Sequence, residues 1–545
     1  MVEHPTKVDY RSVMELVLTS TRDYQNPFAD VELDAVFTAP SGRQVAIPGF
    51  YDGDGVWRVR FNPGEVGRWS YEICSRPADP ELTAEGSFEV TPRETRGFLQ
   101  CTPGDAWGFR FESGEAAFLL GDTTYNLFGM AHAAEPSAQG DVEEFLRRRA
   151  KQGFGLLRVR LQVSPFHGPR GYSAWQKSRT WPWGGSEQAP QLDRFNLDYF
   201  QTVDRVMRLV EDLGLGLEMI MEAWGFEFPF NNRAVFVPEW EDLWLRYLIA
   251  RYDAFRAVYV WTLLNEYEYY PDGDWRYSRL ADRWALRRAR WVKDLAQHGH
   301  VVAVHNGPTM PPFAERLKRD PGAVDAVMFQ TWGSMGDDDA WLAAGIETQI
   351  ERSLDGWSGS AIFAEWGYER NPDLPLNLPH HKNCSVEHTR RGAWRGTFSA
   401  LNIIHGFENS WGPFMVLRED QAGLAQLLHV RHFFTEIVPF ERLRPMPELI
   451  HRGHEGGEPG TKPLVLATPE RTIVAVYLPV GGTVELDLPT DLDYRARWYD
   501  PRTGNLTEVP TATEVCSHFE APEGCSEGGH PWDWILLLES VRASE

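Results

Sequence analysis

The chain has 545 residues, 42% hydrophobic and 24% charged, with a formal net charge of −24. That length exceeds what one hydrophobic core organises, so two to four domains are expected. The acidity argues against a nucleic-acid partner or an anionic bilayer, and no stretch approaches the roughly 20 apolar residues that span a membrane.

Residues 1–95 read as β structure. Runs such as Val13–Leu18 and Val31–Phe37 alternate, and turn clusters at Asn26-Pro27, Pro40-Ser41-Gly42, Asp52-Gly53-Asp54-Gly55 and Asn62-Pro63-Gly64 separate them. Short strands at this spacing predict a β-sandwich, with Val56–Phe61 and Gly67–Ile73 as a hairpin. From 96 to 440 the pattern turns to strands alternating with amphipathic helices, the mark of parallel βα units. Eight strands are predicted: Ala117–Thr123, Leu156–Val163, Leu215–Ala223, Ala257–Asn265, Val301–His305, Ala326–Thr331, Ser360–Glu365 and Gly406–Trp411. Asp141 followed by Glu144 opens a helix that stops at Gly153. Ser278 caps another, whose Leu280, Trp284, Trp291 and Leu295 share one face. Eight strands with intervening helices fit a (β/α)8 TIM barrel, of class α/β. An open doubly wound sheet is the alternative, but no Gly-rich phosphate fingerprint follows the first strand. Beyond 441 the helices cease, and short strands between Gly, Pro and Asp turns to residue 545 predict a second β-sandwich.

Two segments carry the chemistry: Val260-Trp261-Thr262-Leu263-Leu264-Asn265-Glu266 and Ala361-Ile362-Phe363-Ala364-Glu365-Trp366-Gly367. Each is an apolar run ending in a glutamate, closing predicted strands four and seven. Carboxylates at the C-terminal ends of barrel strands lie on the face where such barrels do chemistry. Cleaving a glycosidic bond with retention needs two carboxyls, one protonated and one ionised, whose environments hold their pKa values apart. Asn265 is placed to bond a substrate hydroxyl, and Trp366 to form an apolar wall. The other strand ends add pocket candidates: Trp224, His305, Gln330, Trp332 and Trp411. Among 22 Trp, 30 Phe and 18 Tyr, most serve the cores. Several Trp fall in Gly/Pro-rich loops, where a flat face suits stacking on sugar rings. The long loop 164–196, with His167, Tyr172, Trp175, Trp181 and Trp183, reads as a lid or subsite wall.

The Asn-Glu and Glu-Trp-Gly strand ends resemble those of clan A glycoside hydrolases. More narrowly, Phe118-Leu119-Leu120-Gly121-Asp122-Thr123-Thr124 resembles the barrel opening of the apiosidase-like glycosidases. Asn62-Pro63-Gly64 with Gly67-Arg68-Trp69, and Trp498-Tyr499-Asp500-Pro501-Arg502-Thr503-Gly504, resemble the β-domains that flank such barrels in bacterial proteins. The resemblance implies Glu266 as acid/base and Glu365 as nucleophile. It implies Arg160 as the strand-two arginine that orients the nucleophile, with Arg158 on the same face as the fallback, and Asp122 as a holder of sugar hydroxyls.

No metal is expected: His380-His381 and Cys384 lack zinc-site spacing, and clan A chemistry needs neither a metal nor any other cofactor. The five scattered cysteines and the polar start, Met1 to Arg11, point to reduced thiols in the cytoplasm. The expected function is a retaining, exo-acting glycosidase that takes a terminal sugar from a small oligosaccharide or glycoside. A transglycosylase and a non-catalytic carbohydrate binder on a degenerate barrel are the alternatives, and association with further copies of the chain stays open.

Overall fold

The computed structural model describes residues 5–105, 107–132, 140–162, 181–186, 188–224, 227–271, 277–307, 310–331, 345–373, 384–411, 416–453, 460–509, 518–527 and 529–541. Eight parallel strands form its centre: Leu120–Thr123, Leu156–Arg160, Gly216–Trp224, Val258–Asn265, Val301–His305, Ala326–Gln330, Ser360–Glu365 and Asn402–Phe407. Each pairs with the next, and the first pairs with the last (Gly121 opposite Ile404), so the sheet is a closed barrel. Numbered one to eight in this order, the strands bury both faces, which is why they read as near-continuous apolar runs.

Alternation sorts their side chains. Leu156, Val260, Ala303, Ala326, Met328, Ile362, Ala364 and Ile404 share one cluster inside the barrel. Leu157, Val159, Trp261, Leu263, Val304, Phe329, Phe363 and Ile403 pack outward in the cluster shared with the helices. A hairpin of Leu99–Cys101 and Phe109–Phe111 joins the inner cluster, and the Ser360 hydroxyl donates to Gly108 O at 2.6 Å, so this hairpin closes the end of the barrel where the strands begin.

Helix punctuation follows from local chemistry. Asp141 caps helix Val142–Gln152 by accepting from the Glu143 and Glu144 N–H groups, and Gly153 ends it at φ 82°. Ser278 caps Arg279–Leu295, but Leu280, expected on its buried face, is exposed. The eighth strand also departs from expectation. It spans Asn402–Phe407, and the segment expected to form it continues as a short helix, Glu408–Trp411. The β-branched Ile403 and Ile404 define the strand, while Gly406 serves its C-terminal end, where the Tyr368 ring leaves no room for a Cβ.

The N-terminal domain is a five-stranded sheet facing a three-stranded one across a shared core. Val56–Phe61 and Gly67–Arg76 are not a hairpin. The first pairs with Met14–Thr19 and Phe50–Gly53, the second with Glu32–Thr38 and Ala84–Thr91. Both strands carry large apolar residues on one face, and these meet across the sandwich (Phe61 and Trp69 rings 5.2 Å apart) rather than side by side. The C-terminal domain pairs six strands in one sheet and three in another over a core that includes Val476, Trp498 and Leu536.

Candidate active site

At the C-terminal ends of the strands the barrel interior changes from apolar to charged. Arg158, on strand two, is fully buried. It reaches Glu365 Oε1 at 2.5 Å and Glu218 Oε2 at 3.2 Å and donates to the Asn265 side-chain oxygen. Burial opposes its charge, but Tyr125, Glu218 and Glu365 hold its pKa well above the ordinary value. Glu218 is itself fixed by the Thr262 hydroxyl at 2.8 Å.

Glu365 ends strand seven. Ala361 and Phe363 point out of the barrel, so strict alternation would send Glu365 outward too. A bulge intervenes: Phe329 stands opposite Phe363, and Gln330 opposite Glu365, which turns the carboxylate inward. There Glu365 Oε1 meets the Tyr125 hydroxyl at 3.1 Å as well as Arg158, and His305 Nε2 lies 3.6 Å away. The Tyr125 hydroxyl is in turn 3.5 Å from that of Tyr368.

Glu266 follows strand four in a left-handed conformation, φ 56° and ψ 54°. A non-glycine residue there stores strain, which is typical of functional positions. Its Oε1 accepts from Gln330 Nε2 at 2.8 Å, and the same amide nitrogen donates to Asn306 O at 3.0 Å. Burial first, then the charges of Glu365 and Glu268, push its pKa up to about 8 against the lowering effect of the Gln330 bond. The two carboxyls thus occupy different settings, one against a guanidinium and a phenol, the other on a neutral amide.

His305 closes strand five. Burial and the Arg158 charge depress its pKa well below the ordinary range, so the ring is neutral. Neither ring nitrogen has a hydrogen-bond partner among the described residues, and neither do Oδ1 and Nδ2 of the adjacent Asn306, although both side chains are fully buried. Buried polar atoms are normally paired, so this concentration beside Glu365 marks where a polar ligand belongs.

Other expected residues sit differently. Arg160, expected on the nucleophile, lies against Glu227 at 3.0 Å and over the Tyr125 ring. It shares a face with Arg158 but is two residues further along the strand, beyond the layer of Glu365. Asp122 offers no free carboxylate: its oxygens take Arg149 at 2.8 Å and the Ser410 hydroxyl at 2.8 Å, and it is fully buried. It joins strand one to the neighbouring helix Val142–Gln152. Trp366 faces away from the barrel interior, stacked on Phe363 and 4.7 Å from the His405 ring, and fills the space that Gly392 leaves in helix Val386–Phe398. Trp411 packs on Tyr368 with ring centroids 4.9 Å apart, at the edge of the site. The side chain of Trp224 and all of Trp332 lie outside the described residues, as do His167, Tyr172, Trp175, His380 and His381. Trp181 and Trp183 pack on one another, and Trp183 is buried against Trp244.

Sequence reasoning passed over Tyr125, Tyr368, Glu218 and Glu268. Glu218 had a readable signal, a charge at an inward position of the apolar run Gly216–Trp224. The tyrosines follow strand ends and carry no pattern of their own.

Three family models match the chain. A domain of unknown function, DUF5060, matches residues 8–76, an "Apiosidase-like, catalytic domain" matches residues 108–411, and a "Putative collagen-binding domain of a collagenase" matches residues 455–539. None of the curated proteins matches. Among solved structures, a "putative glycoside hydrolase" from Bacteroides vulgatus is 18% identical, covering 98% of this chain and 100% of that one at a TM-score of 0.69. A glycoside hydrolase family 5 protein from the same organism is 16% identical, covering 82% and 93% at a TM-score of 0.58. These two likenesses establish a shared fold. With the catalytic-domain model matching more than half of its length, the chain belongs to the apiosidase-like family and is a glycosidase of clan A.

Proposed function

We propose that the protein is a retaining, exo-acting glycosidase that releases a terminal sugar from a small oligosaccharide or glycoside. The observation that carries this reading is the asymmetry of the two carboxyls. Arg158 and Tyr125 converge on Glu365 Oε1, holding this carboxyl where it can attack the anomeric carbon. Glu266, buried on the neutral Gln330 amide with its pKa near 8, keeps the proton that the leaving oxygen requires.

In the first step Glu365 Oε attacks the anomeric carbon as the glycosidic C–O bond breaks and the Glu266 proton passes to the departing oxygen. In the second step ionised Glu266 takes a proton from water, which attacks the same carbon and frees Glu365. Neutral His305 and Asn306, whose side-chain polar atoms have no hydrogen-bond partner among the described residues, are placed to bind hydroxyls of the reacting sugar. The burial of both glutamates supports a pocket for a chain end over an open cleft. A cytoplasmic setting accords with Cys74, Cys101 and Cys525 forming no disulfide among the described residues, and no helix among them is long and apolar enough to cross a membrane.

A panel of aryl glycosides tests the reading, with proton NMR used to identify the first-formed anomer. The same anomer as the substrate supports retention, whereas the opposite one overturns it. Loss of turnover in Glu365→Gln excludes the non-catalytic alternative, and glycosylated product in the presence of a sugar acceptor identifies a transglycosylase.

A further inference from the structure

A third buried carboxyl, Glu268, follows Glu266 by two residues. After Glu266 the chain makes one 3-10 turn, Tyr267–Tyr269, with Tyr269 N bonded to Glu266 O at 3.2 Å. This turn draws Glu268 back into the protein, where it is fully buried. Its Oε1 accepts from the Gly307 N–H just beyond strand five. The glycine lets both groups approach closely, since a Cβ at position 307 would lie 2.6 Å from the Tyr269 hydroxyl and 2.9 Å from Glu268 Oε1. Arg316, from helix Phe313–Leu317, approaches Glu268 Oε2 only to 3.9 Å and spends its Nε on Asp282 at 3.1 Å.

The charges of this cluster do not balance. Arg158 faces Glu218 and Glu365, and Arg316 faces Asp282 and Glu268. Among the described residues five carboxyls, with Glu266, therefore share two guanidiniums, and His305 is neutral and adds no charge. Buried carboxyls without a cation retain protons, and Glu266 is the one of the five with no guanidinium in ion-pair range among the described residues. The groups that face it are Glu365 and Arg158 across the barrel, Gln330 on strand six, and Glu268 and Tyr269 on its own turn. Glu268 is faced by Arg316, Asp282 and Tyr269 and by the Gly307 N–H.

We propose that Glu268 is a positioning residue of this site, the buried carboxylate whose charge keeps the proton on Glu266. Pinned by Gly307 and Arg316, it cannot swing away when it ionises, so its field acts on Glu266 at a fixed separation. Consistent with this, burial first, opposed mainly by Arg316, pushes the Glu268 pKa up to about 7. The inference rests on Glu266 as the acid/base for its catalytic meaning, but the coupling itself is measurable without substrate.

The experiment is an infrared pH titration of the full chain, following the protonated-carboxyl band that Glu266→Gln abolishes. In Glu268→Gln its midpoint falls by roughly 1 pH unit, the size of one close like charge, while Glu268→Asp, which keeps the charge, stays near the wild type. An unchanged or raised midpoint in Glu268→Gln overturns the proposal. Should that variant not fold, reciprocity supplies the second measurement: in Glu266→Gln the Glu268 band titrates lower than in the wild type by a similar amount, and an unmoved band overturns the coupling. Full glycosidase activity in Glu266→Gln would refute the acid/base reading and leave the coupling result standing.

Discussion

At Arg158 one planar group serves a carboxylate on strand seven, a carboxylate on strand three and an amide on strand four. A lysine offers a single point of charge and cannot span all three. Arg158→Lys is therefore expected to lower kcat by about 10²–10³-fold, the cost of a lost preorganised donor, with the circular dichroism spectrum unchanged. Arg160→Lys, against Glu227, should be milder in kcat, and comparing the two variants checks which arginine serves Glu365. In the proposed mechanism Glu266 sets the alkaline side of the pH profile. As the acid it serves only while protonated, so kcat/KM should fall above about pH 8. The same group has a stability signature of opposite sense to an ion-paired carboxylate. Its folded pKa lies above the 4.5 of the free group, so its contribution to stability declines as the pH rises from about 4.5 towards 8. Glu266→Gln, neutral at every pH, should melt higher than the wild type at pH 8, and calorimetry at pH 5 and 8 reads the difference.

The strands explain what was legible in the sequence and what was not. An apolar run closing on a carboxylate betrays itself, so the ends of strands four and seven could be read directly. The side that Glu365 faces could not, because it depends on a bulge fixed by pairing with strand six. Two arginines at i and i+2 share a face, so alternation places both inside the barrel, but only the stagger of neighbouring strands decides which one meets Glu365. Trp366 looked like a substrate wall because it follows a catalytic-type glutamate, and it proved to be the filler between strand seven and a helix. The resemblance gave Asp122 as a holder of sugar hydroxyls, and nothing in the sequence announced that Arg149 from the following helix reaches its carboxylate. The eighth strand was misplaced for a related reason: Gly406 read as a strand start, whereas the strand ends near it to admit Tyr368. That close approach yields a prediction. Gly406→Ala must displace the Tyr368 ring, which touches the Tyr125 hydroxyl and through it Glu365. A loss of about 1–3 kcal/mol in stability is expected from overpacking, with a fall in kcat exceeding that of Gly214→Ala, whose Cβ would meet nothing.

Across the whole molecule, buried ion pairs fasten the flanking domains to the barrel. Arg60 of the N-terminal sandwich binds Asp204 at 2.6 Å and Arg251 O at 2.7 Å, and Arg251 reaches back to Asp52 at 2.8 Å. Burial would raise the Asp204 pKa, but the two arginines outweigh it and hold it at about 2. A carboxylate with a depressed folded pKa stabilises above its unfolded value, so this contribution is complete above about pH 4 and is lost as the pH falls towards 2. Asp204→Asn leaves two buried guanidiniums short of a counter-charge and should cost about 3–5 kcal/mol, seen as a lower melting temperature. Separate melting of the N-terminal domain in that variant would locate the damage at this seam.

Helix Val386–Phe398 has two clienteles. On one side Gly392 and His388 receive Trp366, the residue next to Glu365. On the other, Arg390 binds Asp533 at 2.9 Å, Arg391 donates to Pro479 O and Pro531 O, and Arg395 donates to Gly460 O, all in the C-terminal domain. A barrel recombined with a foreign C-terminal module would leave these three guanidiniums with their barrel-side partners Glu387, Gln426 and Glu347 but without the acceptors they reach across the seam, one helix away from Glu365. Engineers who treat the two as interchangeable cassettes should move the helix together with the module, or redesign its arginines first.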